Sequence, residues 1–159
     1  MAQQCQPDTT AAPPSTAAKG TIQHQFVADI TSAIVQNLQD QHDWSSVRVQ
    51  PPGDGQTRPL ICGLPPRRLY IHPDDQIAAL NQEQRGLISS EQALQVPEPE
   101  WVLPIHLTEK WSLADFAMVF DSVPSTQPRG KRILLGILHN DSTVVYYFMH
   151  EGMVKPRQN

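Results

Sequence analysis

The last 28 residues of this chain, Arg132 to Asn159, hold two apolar segments joined by a short polar turn. Side chains alternate along a strand. In Ser142 to His150 this sends Val144, Tyr146 and Phe148 to one face and Val145, Tyr147 and Met149 to the other. In Arg132 to Leu138, Ile133, Leu135 and Ile137 oppose Leu134 and Leu138. His139, Asn140 and Asp141 make the connection. A hairpin apolar on both faces needs cover on both sides. The spacing therefore predicts a sheet flanked by the chain's own helices, with the terminal strand open to cover from another protein.

At 159 residues the chain has room for one domain. A net charge of -4 gives no global attraction to nucleic acid, so RNA binding would need a local basic patch. Arg67 with Arg68, Arg129 with Lys131 and Arg132, and Lys155 with Arg157 are the basic clusters. The first five of these are the candidate RNA contacts, against a default of solvated surface. Two cysteines, Cys5 and Cys62, make no disulfide framework, which points to a reducing compartment. No basic-then-apolar leader opens the chain and no window reaches the roughly 20 apolar residues of a membrane span. The expectation is a soluble, intracellular protein without membrane insertion.

Residues 1–19, rich in Ala, Pro, Thr, Ser and Gln, are expected to be a disordered tail, and 20–159 the folded domain. From Thr21, a plausible N-cap, Ile22, Phe26, Ile30, Ile34 and Leu38 recur every four residues, with Val27 and Val35 widening the stripe of a helix running to about Gln41. Trp44 to Val49 alternates as a strand, stopped by Pro51-Pro52-Gly53. Leu60 to Leu64 and Arg68 to Ile71 are short apolar runs, the second being the better strand candidate. Asp74 to Arg85 suits a short helix opened by Pro73. Gly86 to Pro99 reads as a surface connection. Trp101 to Leu107 reads as a strand in which Pro104 implies an edge or a bulge. Ser112 with Asp115 resembles a capping box opening a helix whose Leu113, Phe116, Ala117 and Phe120 face the core. Val123 to Gly130 is a loop into the terminal hairpin.

Six histidines raise the question of catalysis. His72 beside Asp74 and Asp75 could ligate a metal, but the two aspartates already serve a helix start. His106 and His150 are the candidate general bases, against a packed strand histidine and a surface pair with Glu151. His139 sits in the hairpin turn, and His24 and His42 lie at the ends of the first helix. No GxSxG elbow, phosphate loop, HExxH or CxxC occurs. Tyr146 and Tyr147 point to opposite faces among apolar neighbours, so packing or an interface outweighs base stacking. No cofactor is implied.

Taken together, PPRRLYIHPDDQ, EWVLPIHLTEKWSLADFAMVFDSV and KRILLGILHNDSTVVYYFMHEGMVKPRQN resemble the Sen-fifteen family in its fungal form, the smallest subunits of the eukaryotic tRNA-splicing endonuclease. The likeness covers about residues 20–159 and is most specific in DSTVVYYFMHEGMVKPRQN. It implies an α/β fold: a single mixed-sheet domain with flanking helices, tRNA-intron-endonuclease-like and hence restriction-endonuclease-like. It also implies a heterotetramer that excises introns from precursor tRNA, in which catalytic subunits cleave without metal through a Tyr, His and Lys triad. The Sen-fifteen subunit is a structural one. VPEPEWVLPIHL has no histidine where catalytic subunits would carry theirs, and Lys131, near the place of their lysine, is a phosphate contact at most.

By the same resemblance, Thr143 to His150 (Thr143, Val144, Val145, Tyr146, Tyr147, Phe148, Met149 and His150) pairs with a strand of the catalytic subunit Sen-thirty-four. Asp141 marks a weakly acidic docking loop. The expected function is a non-catalytic assembly subunit in the nucleus, or at the cytosolic face of the mitochondrial outer membrane. The alternatives are a stand-alone ribonuclease using His106 or His150 with Lys131, and a homodimeric interaction module without an RNA role.

Overall fold

A computed structural model of the chain describes residues 16–53, 56, 58–86, 95–124 and 130–152, and of 16–22 only the backbone. The elements in chain order are α1 (Thr16–Asp40), β1 (Ser45–Gln50), β2 (Leu60–Leu64), α2 (Pro73–Gln84), β3 (Glu100–His106), α3 (Leu113–Ser122), β4 (Arg132–Leu138) and β5 (Val144–His150). The strands form one five-stranded sheet in the order β1-β2-β3-β4-β5. Every neighbouring pair is antiparallel except β3 with β4, which is parallel. Parallel neighbours need a crossover rather than a hairpin, and α3 lies in it.

Two helices cover the two faces, as the doubly apolar strands require. On one face Ile30, Ile34 and Leu38 of α1 pack with Trp44, Ile61, Val102 and Leu134. Ile61, Val102, Leu134 and Phe148 are register neighbours, so they form one row across four strands. Gly136 lets α1 come close, because a Cβ there would meet Val102 Cγ1 at 3.0 Å and Ile34 Cγ2 at 3.2 Å. On the other face Val119 and Phe120 of α3, with Val123, pack against Leu60, Leu103, Ile105 and Ile133. Ser112 and Asp115 make the capping box expected of them: Ser112 Oγ accepts from Asp115 N and Asp115 Oδ2 accepts from Ser112 N.

Five expectations are corrected. Helix α1 is already running at Thr16, so Thr21 is an interior residue and not its cap. The tail expected over 1–19 is not among these five: residues 1–15 lie outside the described residues, and 16–19 begin α1. Arg68 to Ile71 is not a strand; its Arg68 and Tyr70 are held by side-chain contacts rather than by a ladder, and Leu60 to Leu64 is the strand of that region. Helix α3 turns Val119 inward, whereas Leu113 is 82% exposed and Ala117 is also outside. The second hairpin strand begins at Val144 rather than Ser142, because Ser142 takes a left-handed φ of 67° in the turn.

The fifth correction concerns Pro104, which is buried in a central strand and neither at an edge nor in a bulge. Leu107 donates to Leu138 O at 3.0 Å, so alternation turns the odd residues of β3 to β4 and the even ones to β2. The donor that Pro104 lacks would face the β2 side, beyond the last registered pair, Ile61 with Val102. The sheet loses nothing by its absence.

Ile34 and Leu113 carry the same apolar pattern but differ in place. Ile34→Ala is expected to cost about 2–5 kcal/mol and Leu113→Ala to stay within about 0.5 kcal/mol of the parent chain. Urea unfolding of the two variants measures both values.

Candidate assembly interface

Strand β5 is the outer strand of the sheet, and its register with β4 is unbroken from Arg132 with His150 to Leu138 with Val144. His139 N donates to Thr143 O and Glu151 N to Lys131 O, each at 2.9 Å. These two pairs set the phase of the ladder: Val145, Tyr147 and Met149 bond inward to β4. The backbone groups of Val144, Tyr146, Phe148 and His150 therefore point away from the sheet. Edge strands are ordinarily blunted by Lys, Pro, a bulge or extreme shortness. Seven residues long, β5 has none of these devices. The opposite edge is blunted: β1 has a register break between Ser45 and Arg48 and a positive φ of 53° at Ser46.

The two sides of β5 differ. Towards α1, Val144, Tyr146 and Phe148 are half-buried against the core. The Tyr146 hydroxyl donates to Asn37 Oδ1 at 2.8 Å, and burial pushes its pKa up. Towards α3, Tyr147 is 58% and Val145 41% exposed beside half-buried Leu135, Ile137 and Met149. Helix α3 thus does not reach the end of the sheet, and an apolar strip adjoins the open edge. Thr143 and Asp141 lie in the turn that begins the strand.

In that turn Asp141 Oδ1 accepts from Thr143 N at 3.0 Å and lies 2.9 Å from His139 Nδ1. The bonds from Thr143, then that from His139, pull the Asp141 pKa down to about 2. The turn is therefore closed on itself, with its carboxylate ionised at any physiological pH.

Folding brings two of the candidate RNA contacts, Arg68 and Arg132, to a shared carboxylate, Glu98. Arg132 is buried: its Nε donates to Glu100 Oε2 at 3.2 Å, its Nη2 bonds Glu100 Oε1, and Glu98 Oε2 lies 3.4 Å away. Arg68 pairs with Glu98 at 2.9 Å and Asp75 at 3.3 Å. Lys131 Nζ donates to Phe120 O at 2.7 Å, near the C-terminus of α3, where a cation is favourable. Arg129, with Lys155 and Arg157, lies outside the described residues, and Arg67 is exposed. Carboxylates thus pair with the guanidinium groups of both Arg68 and Arg132.

The candidate bases are also apart. His106 ends β3 and pairs with Leu138, whereas His150 pairs with Arg132, six positions or roughly 20 Å back along β4. His106 Nδ1 meets Thr108 Oγ1 at 2.8 Å and its ring packs on Phe26. His150 packs on Tyr70 on the α1 side, while the Lys131 amine turns to α3. His72 Nδ1 accepts from Asp74 N as the cap of α2, and no group of metal-ligating side chains occurs among the described residues. Burial raises the Cys62 thiol pKa against a partly offsetting Arg48, which leaves it a poor nucleophile.

A cluster the sequence reading did not assemble lies behind β5. Glu100 opens β3, Arg132 opens β4, and both side chains are buried, Glu100 at 1% exposure. The Arg132 guanidinium sits 5.1 Å from the centroid of the Tyr70 ring. The available signal was an acidic and a basic residue at the first positions of two apolar strands, which parallel pairing sets side by side.

The molecule is thus an α/β domain with a mixed sheet, helices on both faces and, among the described residues, one apolar edge strand with no covering segment. It belongs to the Sen15 protein family, whose profile matches residues 33–159. Among relatives, the probable tRNA-splicing endonuclease subunit tsp-1 of Neurospora crassa is 46% identical over 155 residues, covering 85% of this chain and 68% of that protein. The tRNA-splicing endonuclease subunit SEN15 of Eremothecium gossypii is 30% identical over 131 residues, covering 82% of this chain and 91% of its own. The probable subunit sen15 of Schizosaccharomyces pombe is 38% identical over 71 residues, covering 38% of this chain and 50% of its own.

Two measurements check this site. Glu100→Ala leaves Arg132 buried and unpaired and is expected to cost roughly 3–5 kcal/mol, while joint replacement by Glu100→Leu and Arg132→Met recovers most of the loss; urea unfolding reads both. The Asp141 carboxyl is expected to titrate at about 2 by NMR. Because its folded pKa is depressed, its contribution to the turn is complete above the ordinary 3.8 and is lost as the pH falls through about 2. A midpoint at or above the ordinary value would show that the turn is not closed by these bonds.

Proposed function

We propose that this chain is a non-catalytic structural subunit of a tRNA-splicing endonuclease. Its β5 adds to the sheet of a catalytic subunit, chiefly Sen-thirty-four, in support of intron excision from precursor tRNA. The observation that carries the reading is the open edge of Val144 to His150, with its outward backbone groups and the exposed Val145 and Tyr147 beside it. Strand addition gives affinity through main-chain bonds, while side chains on alternate positions give specificity. The fungal relatives are named as tRNA-splicing endonuclease subunits, which supports that complex as the setting for such an edge. On this reading the domain is of the endonuclease, restriction-endonuclease-like class, and the Asp141 turn makes a secondary docking contact.

The separation of His106, His150 and Lys131 supports a non-catalytic role. General acid–base catalysis requires groups within hydrogen-bond reach of one reacting centre. Here one histidine lies at the far end of β4 from the lysine and the other faces the opposite side of the sheet.

Tyr147→Asp and Val145→Asp change exposed side chains, so the isolated chain is expected to stay folded, while a partner strand would have to bury the new charge. Co-purification with the catalytic subunit is expected to be lost. In the parental complex the amides of Tyr146, Phe148 and His150 are expected to gain protection from hydrogen exchange. Unchanged complex formation by both variants, or no gain of protection, would overturn the reading.

A further inference from the structure

Tyr70 lies on the irregular segment between β2 and α2, far in sequence from the hairpin. Its ring is 5.1 Å from that of His150 and 5.8 Å from that of Phe148. On another side it receives the Arg132 guanidinium. That guanidinium is fixed in turn by Glu100 and Glu98, and Arg68, two residues before Tyr70, is tied to Glu98 and Asp75. Both ends of the arrangement are therefore constrained: the segment by its Arg68 ion pairs, the ring by a buried cation beneath it. Phe148 and His150 are two of the four residues whose backbone groups face outward from β5. In that half of the strand Phe148 also meets the α1-side core, whereas His150, among the described residues, has no ring contact outside β5 except Tyr70; Val144 and Tyr146 are secured at the other end, the latter by Asn37 and by the His42 ring at 5.3 Å.

We propose that Tyr70 is a positioning residue for assembly, which holds the second half of β5 in sheet geometry so that a partner strand meets a pre-formed edge. The inference rests on the strand-addition reading above and adds a residue outside β5 to it. The occupant is an extended strand of another polypeptide bearing apolar side chains at alternate positions. The rim it meets on the α1 side is aromatic, and the nearby carboxylates of Glu98, Glu100 and Asp75 already face arginines. An ordered edge binds more tightly because the ordering cost is met before association.

The test uses the full chain with the catalytic subunit and compares Tyr70→Ala, Tyr70→Leu and Tyr70→Phe. In the free chain, Tyr70→Ala and Tyr70→Leu are expected to speed exchange of the Met149 and Glu151 amides, which bond back to β4. Exchange at Val145, in the other half of β5, should not change. Affinity for the catalytic subunit is expected to fall by about tenfold in these two variants, and Tyr70→Phe, which keeps the ring, should restore it. A loss of protection spread evenly over the sheet would reduce Tyr70 to an ordinary core residue and overturn the proposal, as would unaltered affinity in Tyr70→Leu. If the parental chain itself gains no protection along β5 on mixing, the strand-addition reading fails instead. If β5 is protected and Tyr70→Leu binds normally, only the positioning role fails.

Discussion

The parallel pairing of β3 with β4 is the constraint on which the rest of the domain depends. It forces a crossover, and the crossover places α3 on one face of the sheet. Val102 and Leu134 then point to the other face, which only α1 is long enough to cover. The same register brings Glu100 beside Arg132 at the starts of the two strands. A buried pair of this kind adds little net stability over apolar residues of the same size, but a slip of one residue would bury both charges unpaired. The pair therefore acts on register more than on overall stability, and the register fixes where β5 and its turn end up.

The cationic residues show how burial redirects a plausible function. Arg68, Lys131 and Arg132 read as phosphate contacts because charges in a sequence default to the surface. In the fold, Arg132 closes the β3–β4 start, Arg68 ties down the segment before α2, and Lys131 satisfies a carbonyl at the end of α3. Each spends its charge within the chain. On the α3 side of β5 the exposed side chains, Val145 and Tyr147, carry no charge.

Much of this was legible in the chain because it rests on local rules. The four-residue stripe of Ile30, Ile34 and Leu38, the Ser112 capping box and the doubly apolar hairpin each carry their own signal. The open edge could also be read, since two-sided apolarity at β5 exceeded what two helices could cover. What could not be read depends on neighbours remote in sequence. Pro104 suggests an edge until β2 is known to stop at Leu60, and Leu113 fits a core stripe until α3 is seen to roll towards Val119. Tyr70 belongs to a segment that pattern alone makes a strand. Its real partners, Arg132, Phe148 and His150, come from the far end of the chain.

The difference between the two edges of the sheet sets the size of anything it can build. A domain able to lengthen its sheet on only one side behaves like a monofunctional reagent in polymer chemistry. Once β5 has paired, the outer boundary on this side of the joined sheet is β1, and its broken register and positive φ at Ser46 offer a poor template for another strand. Strand addition at β5, as proposed above, would therefore not be repeated at β1, and such a sheet would end on this side at a defined size.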